Sequence, residues 1–183
     1  DSLCNDEFLY TWGGDYPSHA LMHLQRSYYK EFAISQRCVA GTSLPTITTS
    51  IDTAFAETTF TSGVRPWTAV IIGGGINDVS SGATLATLQL RLVTAIAKVQ
   101  SYNARPILMT IGPWNAATAG QNTIITQYNT WLKSLGIPVL DVNAICNNGS
   151  DLYAARCASG DGLHPGQAFN QGQYLVGKAL SNL

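Results

Sequence analysis

A chain of 183 residues, of which 45% are hydrophobic, can bury one substantial core, so we expect a single domain over residues 1–183. Only 11% of the residues are charged and the formal net charge is -1, whereas roughly 25% are charged in an average soluble domain. This balance excludes nucleic acid and anionic membrane surfaces as partners attracted by bulk charge. The apolar stretch WTAVIIGGG at 67–75 is too short to cross a bilayer, so no integral membrane segment is expected.

Residues 16–73 predict a helix and two strands. Residues 16–29 carry apolar side chains at helical spacing, which indicates an amphipathic helix. A short strand at 33–40 then runs into Gly41 and a polar stretch. The segment 67–73 is a continuous β-branched run bounded by glycine, which is typical of a strand covered on both faces. This pattern favours a parallel sheet.

The remainder of the chain alternates helices with strands. Leucines and other apolar residues recur every three or four positions over 83–101, which predicts a helix. Strands are expected at 105–112 and 137–142, separated by a helix at about 119–135, and a last helix at about 166–181. The alternation predicts a doubly wound α/β layer fold.

Unusual polar and glycine-rich stretches follow the predicted strands. They occupy residues 41–43, 73–78 and 112–115, and the region before the last helix. Active sites of such sheets lie at the carboxyl ends of the strands. We therefore expect the chemistry of this protein at that edge.

Two cysteines bracket a polar loop. Cys146 and Cys157 enclose the ten residues NNGSDLYAAR without the CxxC spacing of a zinc site, so a disulfide is expected. A second bridge between Cys4 and Cys38 stays open, because sequence does not fix connectivity. Two free thiols would be the expectation for a cytosolic protein. The low charge and the abundant Ser, Thr, Asn and Gly favour a secreted or extracytoplasmic location instead.

Three histidines are available as a catalytic base. His19 and His23 lie four apart without a supporting carboxylate or cysteine, so we expect surface or groove-lining residues rather than a metal site. His164, in DGLHP, follows Asp161 by three positions, which lets the carboxylate hydrogen-bond the ring and leaves the other nitrogen to activate a nucleophile. A helix-capping aspartate beside a surface histidine is the alternative.

Four short blocks in the chain resemble those of the GDSL or SGNH hydrolase family. They are DSL at 1–3, the glycine of VAGTS at 39–43, GGIND at 74–78 and DGLHP at 161–165. Their order and their positions at strand ends are similar to the family pattern over nearly the whole chain. The resemblance implies a three-layer α/β/α sandwich with a parallel, flavodoxin-like sheet.

Carried over by position, the resemblance implies a catalytic set. Ser2 would be the nucleophile, His164 the base and Asp161 the carboxylate that orients it. The backbone N–H groups of Ser2 and Gly41 and the side-chain amide of Asn77 would hold the oxyanion. This chemistry requires no metal or cofactor.

Other interpretations apply to individual blocks. Gly41 alone could end a strand, and Asn77 with Asp78 could cap a helix. Nucleotide binding by GGGIND is disfavoured, because the spacing and the lysine of a phosphate-binding loop are absent. The resemblance implies that Asp78 is a structural partner rather than a catalyst, because the family pattern has an aspartate there without a chemical role.

The start of the chain departs from the family pattern. The glycine of GDSL and the strand that normally precedes it are absent before Ser2. A nucleophile on a free terminus would be too mobile to be preorganised. We therefore expect an upstream segment carrying that first strand, which the mass of the intact protein tests.

The expected activity is ester hydrolysis through an acyl-enzyme, with a secreted carbohydrate esterase, for instance one removing acetyl groups, as the leading interpretation. Trp12 and Trp114 offer flat walls for a sugar ring or acyl chain, and plain packing is the alternative for both. A broad-specificity carboxylesterase or lysophospholipase-like enzyme is the second interpretation. A non-catalytic glycan-binding module with the same fold is the third. The natural ester and the oligomeric state stay open.

Overall fold

The computed structural model describes residues 39–56, 67–150, 152, 154–155, 157, 162–163, 172–180 and 183. The predicted helix at 16–29 and most of the predicted strand at 33–40 lie outside these ranges. The described elements, in chain order, are α1 (Leu44–Ala56), β1 (Ala69–Ile72), α2 (Ile76–Ser80), α3 (Leu85–Ser101), β2 (Arg105–Met109), α4 (Ala119–Lys133), β3 (Val139–Leu140), α5 (Val142–Cys146) and α6 (Gly172–Leu180).

The three described strands form a parallel sheet in the order β1-β2-β3. Ile71 pairs with Ile107 in one ladder, and Leu108 pairs with Val139 in the other. All three strands were predicted, although each is shorter than its predicted range. The parallel sheet is therefore confirmed.

Successive strand residues point to opposite faces of the sheet, and both faces are buried. Ile72 and Leu108 pack with side chains from α1, α3 and α4 in the main core cluster. Met109 and Leu140 each follow, in sequence, a residue that packs in the main core cluster. They pack instead in a second core cluster with α5 and α6. A sheet with helices on both faces is the three-layer α/β/α arrangement that was expected.

The predicted long helices are present. Thr84 caps α3, because its hydroxyl accepts a hydrogen bond from the Thr87 N–H at 3.2 Å. Thr118 and Gln121 form a reciprocal capping box at the start of α4. The last described helix, α6, lies within the predicted range 166–181. Within the part of the chain that is described, no helix is long and apolar enough to cross a membrane.

The helix α1 was not predicted from the sequence. Its segment LPTITTSIDTAFA is rich in threonine, which is a weak helix former. Leu44, Ile51 and Phe55 are nevertheless buried along one face, in the same core cluster as the buried side chains of α3. Because most helical stability in proteins comes from packing of such a face, tertiary contact decides this element.

Candidate active site

The predicted site residues divide into two groups. Gly41, Asn77 and Trp114 lie among the described residues. The proposed triad of Ser2, Asp161 and His164, together with Trp12, His19 and His23, lies outside them. The described part of the site is therefore the predicted oxyanion side and the loops around it.

Gly41 and Asn77 lie close together in the structure. The Nδ2 atom of Asn77 donates a hydrogen bond of 3.0 Å to the carbonyl oxygen of Thr42, the residue after Gly41. Gly41 is exposed, with a φ of 72°, and a Cβ placed there would meet nothing within 4 Å. The space beside Gly41 is thus open among the described residues.

A left-handed glycine places Asn77 at the carboxyl end of β1. The strand ends at Ile72, and Gly75 adopts a φ of 113° immediately before α2. Glycine reaches this conformation without the steric cost of a Cβ. The chain therefore turns sharply from β1 into α2 and presents Asn77 at the sheet edge.

Asp78, the neighbour of Asn77, has a structural role. Its side chain is completely buried, and its Oδ2 atom accepts a hydrogen bond of 3.0 Å from the N–H of Leu44. Its Oδ1 atom accepts one of 2.6 Å from Nη1 of Arg91 on α3. Burial first and this carboxylate second hold the pKa of the nearby Tyr128 hydroxyl well above its ordinary value. Asp78 thus joins α1, α2 and α3 behind the site.

The loop after β2 holds part of the segment that carries Asp161 and His164. The N–H of Asn115 donates a hydrogen bond of 2.8 Å to the carbonyl oxygen of Gly162. Leu163 packs against the main core cluster. Both residues of this segment that are described are therefore fixed at the carboxyl edge of the sheet. The loop was noted from sequence for its polar residues, but the contact between Asn115 and Gly162 was not foreseen.

A buried asparagine holds the start of that loop through hydrogen bonds to its backbone. Asn129 on α4 accepts a hydrogen bond of 2.9 Å from the N–H of Ile111 and donates one of 2.8 Å to its carbonyl oxygen. Asn129 is 5% exposed, so the pair of bonds replaces water for the backbone just after β2. Trp114, three residues further on, is half-buried and packs against the main core cluster.

The predicted disulfide is present. Cys146 at the end of α5 is bonded to Cys157, and both residues are buried in the second core cluster. Cys4 and Cys38 lie outside the described residues. The bridge closes the loop that leads toward Asp161.

No cluster of three or more histidine, cysteine, aspartate or glutamate side chains suited to a metal ion occurs among the described residues. The three histidines are not among them. The absence of a metal therefore stays a prediction for the site as a whole.

Comparison with known proteins identifies the family. Residues 6–171 match the model of the GDSL-like Lipase/Acylhydrolase family. The chain therefore belongs to this family, as its four blocks had indicated. The matched range contains Gly41, Asn77 and His164, whereas Ser2 lies before it. No curated protein sequence matches significantly.

Solved structures with the same fold include several lipolytic proteins. A member of the lipolytic protein G-D-S-L family from Veillonella parvula aligns with a TM-score of 0.74 and 15% identity, over 97% of this chain and 91% of that one. The psychrotrophic esterase EstA from Pseudoalteromonas sp., inhibited by monoethylphosphonate, aligns with a TM-score of 0.71 and 17% identity, over 98% and 91%. The lipase Lip_vut3 from a goat rumen metagenome aligns with a TM-score of 0.73 and 14% identity, over 95% and 88%. These likenesses confirm the fold, and the family match supports ester hydrolysis as the reaction class.

Proposed function

We propose that this protein is a serine ester hydrolase that acts through an acyl-enzyme. The observation that carries the proposal is the juxtaposition of Gly41 and Asn77 at the sheet edge, in a chain that belongs to an acylhydrolase family. Ser2, Asp161 and His164 complete the set by their positions in the family's blocks.

In the proposed reaction, the hydroxyl oxygen of Ser2 attacks the ester carbonyl carbon while His164 takes the hydroxyl proton. The backbone N–H groups of Ser2 and Gly41 and the side-chain amide of Asn77 hold the resulting oxyanion. Collapse of this intermediate breaks the bond to the alcohol, which leaves with the proton from His164. Water, deprotonated by His164, then releases the acid and restores Ser2. Asp161 orients the imidazole and stabilises its protonated form.

Turnover of p-nitrophenyl acetate tests the proposed triad. We expect the Ser2→Ala and His164→Ala variants to lose nearly all turnover. The Ser101→Ala variant is the control, because Ser101 is an exposed serine at the end of α3. Equal turnover in all four proteins would refute the assignment of Ser2 and His164.

A phosphonate ester identifies the nucleophile independently of turnover. Since EstA is inhibited by monoethylphosphonate, we expect a p-nitrophenyl alkylphosphonate to label one serine of this chain and to release p-nitrophenol. Peptide mass spectrometry should place the adduct on Ser2, and Ser2→Ala should remain unlabelled. An adduct on another serine would reject Ser2 and keep the reaction class.

For the substrate we propose an acetylated carbohydrate and a secreted enzyme. The half-buried Trp114 at the carboxyl edge supports this, because an indole face suits a sugar ring. The disulfide between Cys146 and Cys157 is compatible with an oxidising compartment. A panel of acetylated glycans and p-nitrophenyl esters of increasing chain length tests the substrate, with highest kcat/KM expected on the glycans.

The lipolytic names of the similar structures favour a second candidate, a broad-specificity carboxylesterase or lysophospholipase-like enzyme. It predicts that kcat/KM rises with acyl chain length in the same panel. A glycan-binding module without catalysis predicts binding to glycans with no turnover of any ester.

A further inference from the structure

We propose that the ion pair between Asp78 and Arg91 positions two of the proposed oxyanion donors, Gly41 and Asn77, relative to each other. This inference rests on the proposed function and assigns Arg91 a role as a positioning residue. Arg91 lies on α3, outside all four sequence blocks.

Two neighbouring residues of α2 hold the same short segment. Asn77 donates to the carbonyl oxygen of Thr42 at 3.0 Å, and Asp78 accepts from the N–H of Leu44 at 3.0 Å. Gly41 directly precedes this segment. The separation between the backbone donor of Gly41 and the amide of Asn77 is therefore set by where Asp78 holds Leu44.

Arg91 fixes the orientation of the Asp78 carboxylate. Nη1 of Arg91 lies 2.6 Å from Oδ1, which leaves Oδ2 directed at the N–H of Leu44. The Asp78 side chain is 0% exposed, whereas that of Arg91 is 36% exposed. A buried carboxylate is costly unless a charge compensates it, and Arg91 is the ion-pair partner that the described residues provide.

Without Arg91, the carboxylate would lose the hydrogen bond that fixes its orientation, and its bond to the N–H of Leu44 would weaken. The segment after Gly41 would then shift relative to Asn77. Oxyanion donors act in the transition state more than in the ground state, so kcat should fall while KM changes little.

The α3 helix offers a matched control. Lys98 forms an ion pair with Asp52, with 3.1 Å between Nζ and Oδ1, and its side chain is 35% exposed, close to the value for Arg91. Asp52, unlike Asp78, is 44% exposed. Replacing Lys98 removes a cation of the same helix and similar exposure without touching the segment after Gly41.

The experiment measures kcat and KM on p-nitrophenyl acetate for the wild type and for Arg91→Gln, Arg91→Lys and Lys98→Gln, at a temperature where circular dichroism shows all four folded. We expect Arg91→Gln to lower kcat by about 10- to 100-fold, because displacing an oxyanion donor lowers the rate at most as much as removing it. KM should stay within about twofold. Arg91→Lys should recover most of the loss and Lys98→Gln should match the wild type.

A double variant, Asp78→Asn with Arg91→Gln, covers the case in which Arg91→Gln alone does not fold. It leaves no uncompensated buried charge, so it should fold, and its kcat should still be below that of the wild type because neutral hydrogen bonds are weaker than charge-assisted ones. A wild-type kcat in a folded Arg91→Gln or in the double variant would overturn the inference, as would an equal loss in Lys98→Gln. No turnover in the wild type would instead overturn the proposed function, and this inference with it.

Discussion

Replacing Gly162 with alanine tests whether the contact with Asn115 holds the segment between Asp161 and His164. Gly162 has a φ of +70°, and a Cβ there would lie 2.7 Å from the Cβ and 2.9 Å from the Nδ2 of Asn115. The substitution therefore has two costs, one from the backbone conformation and one from overlap. Gly136, after α4, allows the two costs to be measured separately, because it has a φ of +69° but an added Cβ there would meet no other atom.

The two costs predict different losses of unfolding free energy. Left-handed backbone costs an alanine roughly 1–2 kcal/mol, which is the whole effect expected for Gly136→Ala. Overlap in a packed site adds about 1–3 kcal/mol, so we expect Gly162→Ala to lose about 2–5 kcal/mol in total. Asn115→Gly removes the three atoms that a Cβ at Gly162 would meet and should restore part of the difference.

Urea unfolding of both alanine variants and of Gly162→Ala with Asn115→Gly measures these losses. Turnover of p-nitrophenyl acetate by folded protein should fall on the order of tenfold or more in Gly162→Ala alone, because small displacements of catalytic groups are costly. Equal destabilisation of the two single variants, or no recovery in the double variant, would refute the role given to the Asn115 contact.

Three further outcomes are expected. Asn129→Leu should lose about 1–3 kcal/mol in urea unfolding, because it leaves the buried N–H of Ile111 unsatisfied, whereas the carbonyl oxygen of Ile111 keeps its hydrogen bond of 3.3 Å from Nδ2 of Asn143. Replacing both Cys146 and Cys157 with alanine should lose about 3 kcal/mol, the entropy of the loop that the bridge closes. The Tyr102 hydroxyl donates a hydrogen bond of 2.7 Å to Asp52 and lowers the pKa of Asp52 below its ordinary 3.8. Tyr102→Phe should therefore be less stable than the wild type above about pH 4 and match it once Asp52 is protonated. A pH series of unfolding curves checks this.

The strands and the long helices follow from local pattern. The apolar run at 67–73 and the period of α3 are visible in the sequence because burial on both faces, or on one stripe, requires those residues at those spacings. The helix α1 was missed, although Leu44, Ile51 and Phe55 stand at helical spacing, because its threonines are weak helix formers. Only the packing of Phe55 and its neighbours into the same core cluster as α3 explains why it is helical.

The candidate site likewise contains residues that the sequence pattern indicates and residues that only the tertiary structure indicates. Gly41 and Asn77 are recognisable in sequence because each stands in a short block after a predicted strand, where backbone and amide donors are expected. Arg91 stands in no such block, and Asn115 lies in a polar strand-end stretch without a motif of its own. The contacts of both residues are with partners that are distant in the chain. Sequence by itself therefore determined the family and the parallel sheet, and it predicts which residues bear the chemistry. The tertiary structure decided which residues contact the segments that carry the predicted site. A buried ion pair, or a backbone hydrogen bond between distant segments, leaves no periodic or local pattern in the sequence.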